Sequence, residues 1–132
     1  MLKEADHISL IVSDLEQSRA FYGQLLGMRA LARPGFDFEG AWFAVGGLQI
    51  HLIASGSNTG LPGLQLQPGG RPSRHLHFAF AVEDFEQAHR QVQQHDIPIL
   101  DGPKRRPDGI QQLFIADPDG YVLELCETSD NR

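Results

Sequence analysis

Apolar and polar positions along this chain follow two periods. Short runs alternate with period two, and two longer stretches repeat at helical spacing. The clearest alternating run is RHLHFAF (74–80), in which His75 and His77 share one strand face and Phe78 and Phe80 the other. Ala79 and Ala81 continue the histidine face with small side chains, which leaves room for a bound molecule. One face of this strand is therefore core, and the other is a candidate site.

The same pattern occurs earlier. HISLIVSDLEQ (7–17) lies over HFAFAVEDFEQ (77–87) at an offset of 70 residues, with five of eleven positions identical. Each copy reads as a strand running into a helix start. In the first copy Ser13 to Glu16 spells S-x-x-E, which predicts a capping box with Ser13 as the cap. Leu15, Tyr22, Leu25 and Leu26 then form a helical apolar face, and Gly27 is the stop. In the second copy Phe85, Ala88 and Val92 form the face, and the helix ends before Pro98. Strands are predicted near 28–33, 41–46 and 48–54 in the first half. In the second half they are predicted near 97–100, 110–116 and 121–127. Gly46-Gly47 and Asp117-Pro118-Asp119-Gly120 read as hairpin turns. Each half is thus β-α-β-β-β. The predicted fold class is α+β, two tandem βαβββ modules within one domain spanning 1–132. Module one covers about 1–56 and module two about 74–128, with a Gly- and Pro-rich linker over about 57–73.

Aligning the closing strands puts LQIHLI (48–53) over YVLELC (121–126), so His51 falls on Glu124. The repeat therefore isolates four residues: His7 and His77 on the opening strands, His51 and Glu124 on the closing ones. Three imidazoles and a carboxylate suit a first-row divalent metal, and a carboxylate between Leu123 and Leu125 is costly to bury without a partner. His51 has a second reading, as a group behind the ligands or in contact with substrate. Trp42 is expected in the core or lining the site. Arg74 and His75 are candidate substrate contacts or a solvated strand end. Lys104 to Arg106 reads as a loop, and Cys126 as a small buried hydrophobe.

Composition narrows the setting. The length of 132 residues fits one domain, and no apolar run is long enough to span a membrane or serve as a signal peptide. A lone cysteine precludes an internal disulfide and fits a reducing cytoplasm, and a net charge of −6 argues against nucleic acid as partner.

The doubled unit, with its histidines and Glu124, resembles the vicinal oxygen chelate superfamily. That group includes glyoxalase I, methylmalonyl-CoA epimerase, fosfomycin-resistance proteins, bleomycin-binding proteins and extradiol dioxygenases. The most specific stretches are HISLIVSDLEQSRAFYGQLLG, GAWFAVGGLQIHL, HFAFAVEDFEQA and FIADPDGYVLELCE. The resemblance implies a cupped mixed sheet with helices outside and a homodimer, whose modules pair within one chain or are swapped between two. It also implies one divalent metal (Zn, Ni, Co, Mn or Fe) on His7, His51, His77 and Glu124. The expected activity is a glyoxalase-type lyase or isomerase, acting on a small oxygen-chelating substrate through a metal-stabilised enolate. Glu124 is the expected base, and a thiol such as glutathione a possible co-substrate. The alternatives are an Fe(II) extradiol dioxygenase and a non-catalytic drug-binding resistance protein. His51 departs from the pattern, since glyoxalase I carries Glu at that position and the epimerase Gln.

Overall fold

The computed structural model describes residues 1–128. The chain divides into two compact units, Met1–Gly63 and Leu64 onward. The first contains strand β1 (His7–Val12), helix α1 (Leu15–Arg19, continued as a π-helix over Ala20–Leu25), β2 (Arg29–Leu31), β3 (Gly40–Val45) and β4 (Leu48–Ala54). The second contains β5 (His77–Val82), α2 (Phe85–Gln94), β6 (Ile99–Arg105), β7 (Gln111–Ala116) and β8 (Val122–Glu127). Each unit builds one mixed four-stranded sheet, in the orders β1-β4-β3-β2 and β5-β8-β7-β6. In both, the first strand pairs in parallel with the last and the remaining pairs are antiparallel. The fold is that of paired βαβββ modules.

Alternation sorts each sheet into two faces. In the first unit Leu10, Val12, Ile50, Leu52 and Phe43 are buried on one face, together with Phe21 and Tyr22 of the helix. Gly23 lets that helix approach closely, because a Cβ there would stand 2.9 Å from the Phe43 ring. His7, Ser9, His51 and Trp42 occupy the other face, as the register pairs Ser9–His51 and Trp42–His51 require. In the second unit Leu113, Ile115, Leu123 and Leu125 are buried on the side of α2, whose Phe85 and Val92 are buried too. His77, Ala79, Phe114 and Glu124 share the opposite face.

Three local expectations need correction. Asp14, not Ser13, caps the first helix: its carboxylate accepts from Gln17 N at 3.0 Å, and Asp84 does the same for Gln87 N at 3.0 Å. An aspartate accepts such a bond with full charge at the positive helix end, and the repeated D-x-E-Q carries the cap in both copies. Strand β6 runs to Arg105 rather than ending near residue 100, so Lys104 and Arg105 lie on a strand and not in a loop. It is an edge strand whose register shifts between Ile99 and Lys104, and Gly102-Pro103 is tolerated within that irregularity. The linker also ends in a short 3-10 turn, Pro72–Arg74, so His75 precedes β5 and does not share a strand face with His77.

Candidate metal centre

The two units present equivalent pairs. His7 lies two residues before Ser9, the register partner of His51. His77 lies two residues before Ala79, the partner of Glu124. The third strand adds an aromatic ring beside each closing-strand residue, Trp42 next to His51 and Phe114 next to Glu124.

In the second unit His77 Nε2 stands 3.2 Å from Glu124 Oε1. His77 Nδ1 lies 2.8 Å from the carbonyl of His75, which can only accept, so Nδ1 carries the donated proton. In the neutral ring Nε2 is then a bare lone pair facing a carboxylate oxygen. Two acceptors at that separation need a cation between them, either a proton or a metal. Glu124 is 5% exposed, which sharpens the need. The Phe114 ring meets His77 edge-on at 5.2 Å and fixes the imidazole plane.

The first unit presents His7 and His51 differently. His7 Nδ1 lies 2.7 Å from the Asp6 carboxylate, which again leaves Nε2 as the free lone pair. His51 Nε2 lies 2.8 Å from Gln49 Oε1, leaving its Nδ1 free. The His51 ring is sandwiched, 3.9 Å from Trp42 at 3° and 4.1 Å from His7 at 13°. Burial, then the neighbouring His7, holds the His51 imidazole below its ordinary value of 6.5 and so favours the neutral ring. An imidazole binds a metal in its own ring plane, at about 2.0–2.1 Å. Near-parallel rings stacked face to face cannot aim both lone pairs at one ion in that pose. Among the described residues, no group of three or more His, Cys, Asp or Glu side chains is gathered as a metal cluster.

The substrate candidates separate. Trp42 is part of the stack on His51. Arg74 is exposed at the end of the 3-10 turn. His75 contributes its carbonyl to His77, while its own Nε2 is enclosed without a hydrogen-bond partner. Cys126 is buried on the Glu124 face, with Sγ 3.7 Å from the Phe80 carbonyl.

A family model described as Glyoxalase/Bleomycin resistance protein/Dioxygenase superfamily matches residues 4–125. The chain belongs to this superfamily. Among its relatives, a protein named Glyoxylase I 4 from Arabidopsis thaliana is 30% identical over 128 residues, covering 95% of this chain and 71% of that protein. Glutathione transferase FosA from Serratia marcescens is 32% identical over 127 residues, covering 95% and 81% respectively. The solved fosfomycin resistance protein FosX from Listeria monocytogenes superposes with a TM-score of 0.75 at 20% identity, covering 99% of this chain and 98% of that one. That likeness shows that the glyoxalase-superfamily fold is shared.

Sequence reasoning missed Arg106 as a neighbour of Glu124. The turn between β6 and β7 closes through Gly109 N to Arg106 O at 2.9 Å, which brings Arg106 Nη1 to 4.0 Å from Glu124 Oε2. Asp108 holds the same guanidinium from its outer side, with Nε–Oδ1 at 3.1 Å, and this bond draws the Asp108 carboxyl down to about 2. The usable signal was the R-x-D-G spacing, an arginine paired two residues on within a Gly-ended turn. Among the described residues, no helix is long and apolar enough to cross a membrane.

Proposed function

We propose that the chain is a divalent-metal enzyme of the glyoxalase type, a lyase or isomerase acting on a small substrate with two adjacent oxygens. The observation that carries this reading is the His77–Glu124 pair, a bare imidazole nitrogen facing a buried carboxylate and so suited to a cation. The ligands that this reading takes from the second unit are His77 and Glu124. In the first unit His7 keeps a free Nε2, while His51, the expected fourth ligand, stays in its stack between Trp42 and His7. The metal, when bound, supplies Lewis-acid polarisation of a substrate oxygen.

The chain's own groups supply the rest. Glu124 takes a proton from the carbon beside the polarised carbonyl and returns it to the neighbouring carbon. The His75 carbonyl and Phe114 keep the His77 ring aimed during that transfer. Arg106 Nη1 stands 4.0 Å from the second Glu124 oxygen.

A second reading, thiol transfer to a small electrophile, is favoured by the similarity to the Serratia glutathione transferase. Parallel assays separate the possibilities on metal-loaded protein. Isomerisation of the methylglyoxal–glutathione hemithioacetal is the expected result. Thiol-dependent loss of fosfomycin without isomerisation would move the assignment to transfer. Metal-dependent oxygen uptake with catechols would move it to ring cleavage.

A further inference from the structure

The site face of the first sheet continues past its histidines. Ile11 and Ile53 are register partners, two residues beyond Ser9 and His51, so alternation puts them on the same face roughly 7 Å further along. They floor a cavity of about 600 Å³, within the range of small-molecule sites. Its walls are Asp37 and Phe38 from the β2–β3 loop and residues 57 to 60 from the segment after β4.

Both walls are held in place. The Arg33 guanidinium lies over the Phe36 and Phe38 rings at 4.9 and 4.8 Å, and its Nη2 donates to the Phe38 carbonyl at 2.8 Å. Phe36 stacks on Phe38 at 5.1 Å and leans on Trp42 at 6.1 Å, so a continuous run of rings joins the cavity to His51. Opposite, Thr59 Oγ1 closes a turn through Gly56 N at 3.0 Å and Gly56 O at 2.9 Å. Gly60 sits so close that a Cβ there would stand 3.0 Å from Ile11 Cδ1.

The lining decides the chemistry. Ile11, Ile53 and Phe38 are apolar, Ser57, Asn58 and Thr59 bring neutral polar groups, and the only charged side chain among the lining residues is the carboxylate of Asp37. With no cation in the lining, a carboxylate or phosphate would lose its hydration there without a counter-charge. From this geometry we infer that the cavity takes an uncharged apolar or aromatic ligand group, carrying at most a hydroxyl or carbonyl. This selectivity does not rest on the function proposed above.

The test uses the untagged full chain and N-phenyl-1-naphthylamine, a neutral dye whose fluorescence rises in apolar surroundings. Saturable binding is expected, weakened at least about fivefold by Ile53→Asn, which puts an amide on the floor. Ser57→Trp, an exposed-loop change that leaves the sheet intact, is expected to weaken it similarly by filling the mouth. His77→Ala is expected to leave dye binding unchanged, so loss of the metal reading and loss of this one are separable. 1-Naphthalenemethanol is expected to displace the dye at least about tenfold better than 1-naphthoate. Absence of saturable binding, equal affinity in both cavity variants, or equal displacement by the anion would overturn the assignment.

Discussion

His77 and Glu124 meet through Nε2 and Oε1 at 3.2 Å, while the other ring nitrogen is already bonded to the His75 carbonyl. Two acceptors so placed share a proton or, in the function proposed above, a metal, and this yields a prediction with opposite signs in the metal-free and metal-loaded states. In Glu124→Gln the amide can donate to Nε2, so the metal-free variant is expected to melt at or above the parent temperature. The parent is expected to gain about 2.7 kcal/mol at a metal concentration a hundredfold above Kd, and the variant to gain little. Thermal melts with and without metal check both halves. A variant that keeps the full metal-induced shift would contradict the role of Glu124.

The sandwich of His51 between Trp42 and His7 predicts that Trp42 positions the histidine face. Trp42→Leu is expected to cost about 1 kcal/mol beyond the lost buried area, read by chemical denaturation. His51→Gln is expected to keep metal stoichiometry within error in an elemental assay. Loss of the metal in that variant would place His51 among the ligands after all.

The capping aspartates make a simpler prediction. Asp14→Ala or Asp84→Ala is expected to remove about 1 kcal/mol each, since each accepts the Gln N–H at the third helical position. A loss below a few tenths in denaturant titrations would show that other groups cap these helices.

Asp108 gives the pH dependence. Its carboxyl is drawn from 3.8 to about 2 by its bond to Arg106. A depressed folded-state value means that the charged form stabilises the fold above about 3.8, and that this contribution is lost as pH falls through about 2. The stability difference between the parent and Asp108→Asn is therefore expected to be constant at neutral pH. It should shrink between pH 4 and 2 and vanish below. A difference independent of pH over that window would contradict the pairing.

Most of the fold was legible because each module's period-two runs and its strand-then-helix repeat are local signals. The equivalence of His7 with His77 and of His51 with Glu124 was legible for the same reason, and the parallel registers reproduce it. What sequence could not supply was orientation within the site. Stacking of His51 between two rings depends on Trp42 arriving from another strand, and the Arg106–Glu124 approach depends on how the β6–β7 turn folds over β8. The end of β6 was misread because Asp101-Gly102-Pro103 has the composition of a turn, whereas an irregular edge strand accommodates it. Ser13 and Asp14 are adjacent and both are good capping residues, so sequence alone does not separate them as caps.

Elemental analysis of the untagged protein alongside His77→Ala decides whether a metal is held through His77 and Glu124. Close to one equivalent of a divalent first-row metal is expected in the parent, either as purified or after loading. That metal is expected to be lost in the variant, which still folds. A parent that takes up no Zn, Ni, Co, Mn or anaerobic Fe(II), or a His77→Ala variant that holds metal equally well, would contradict that reading.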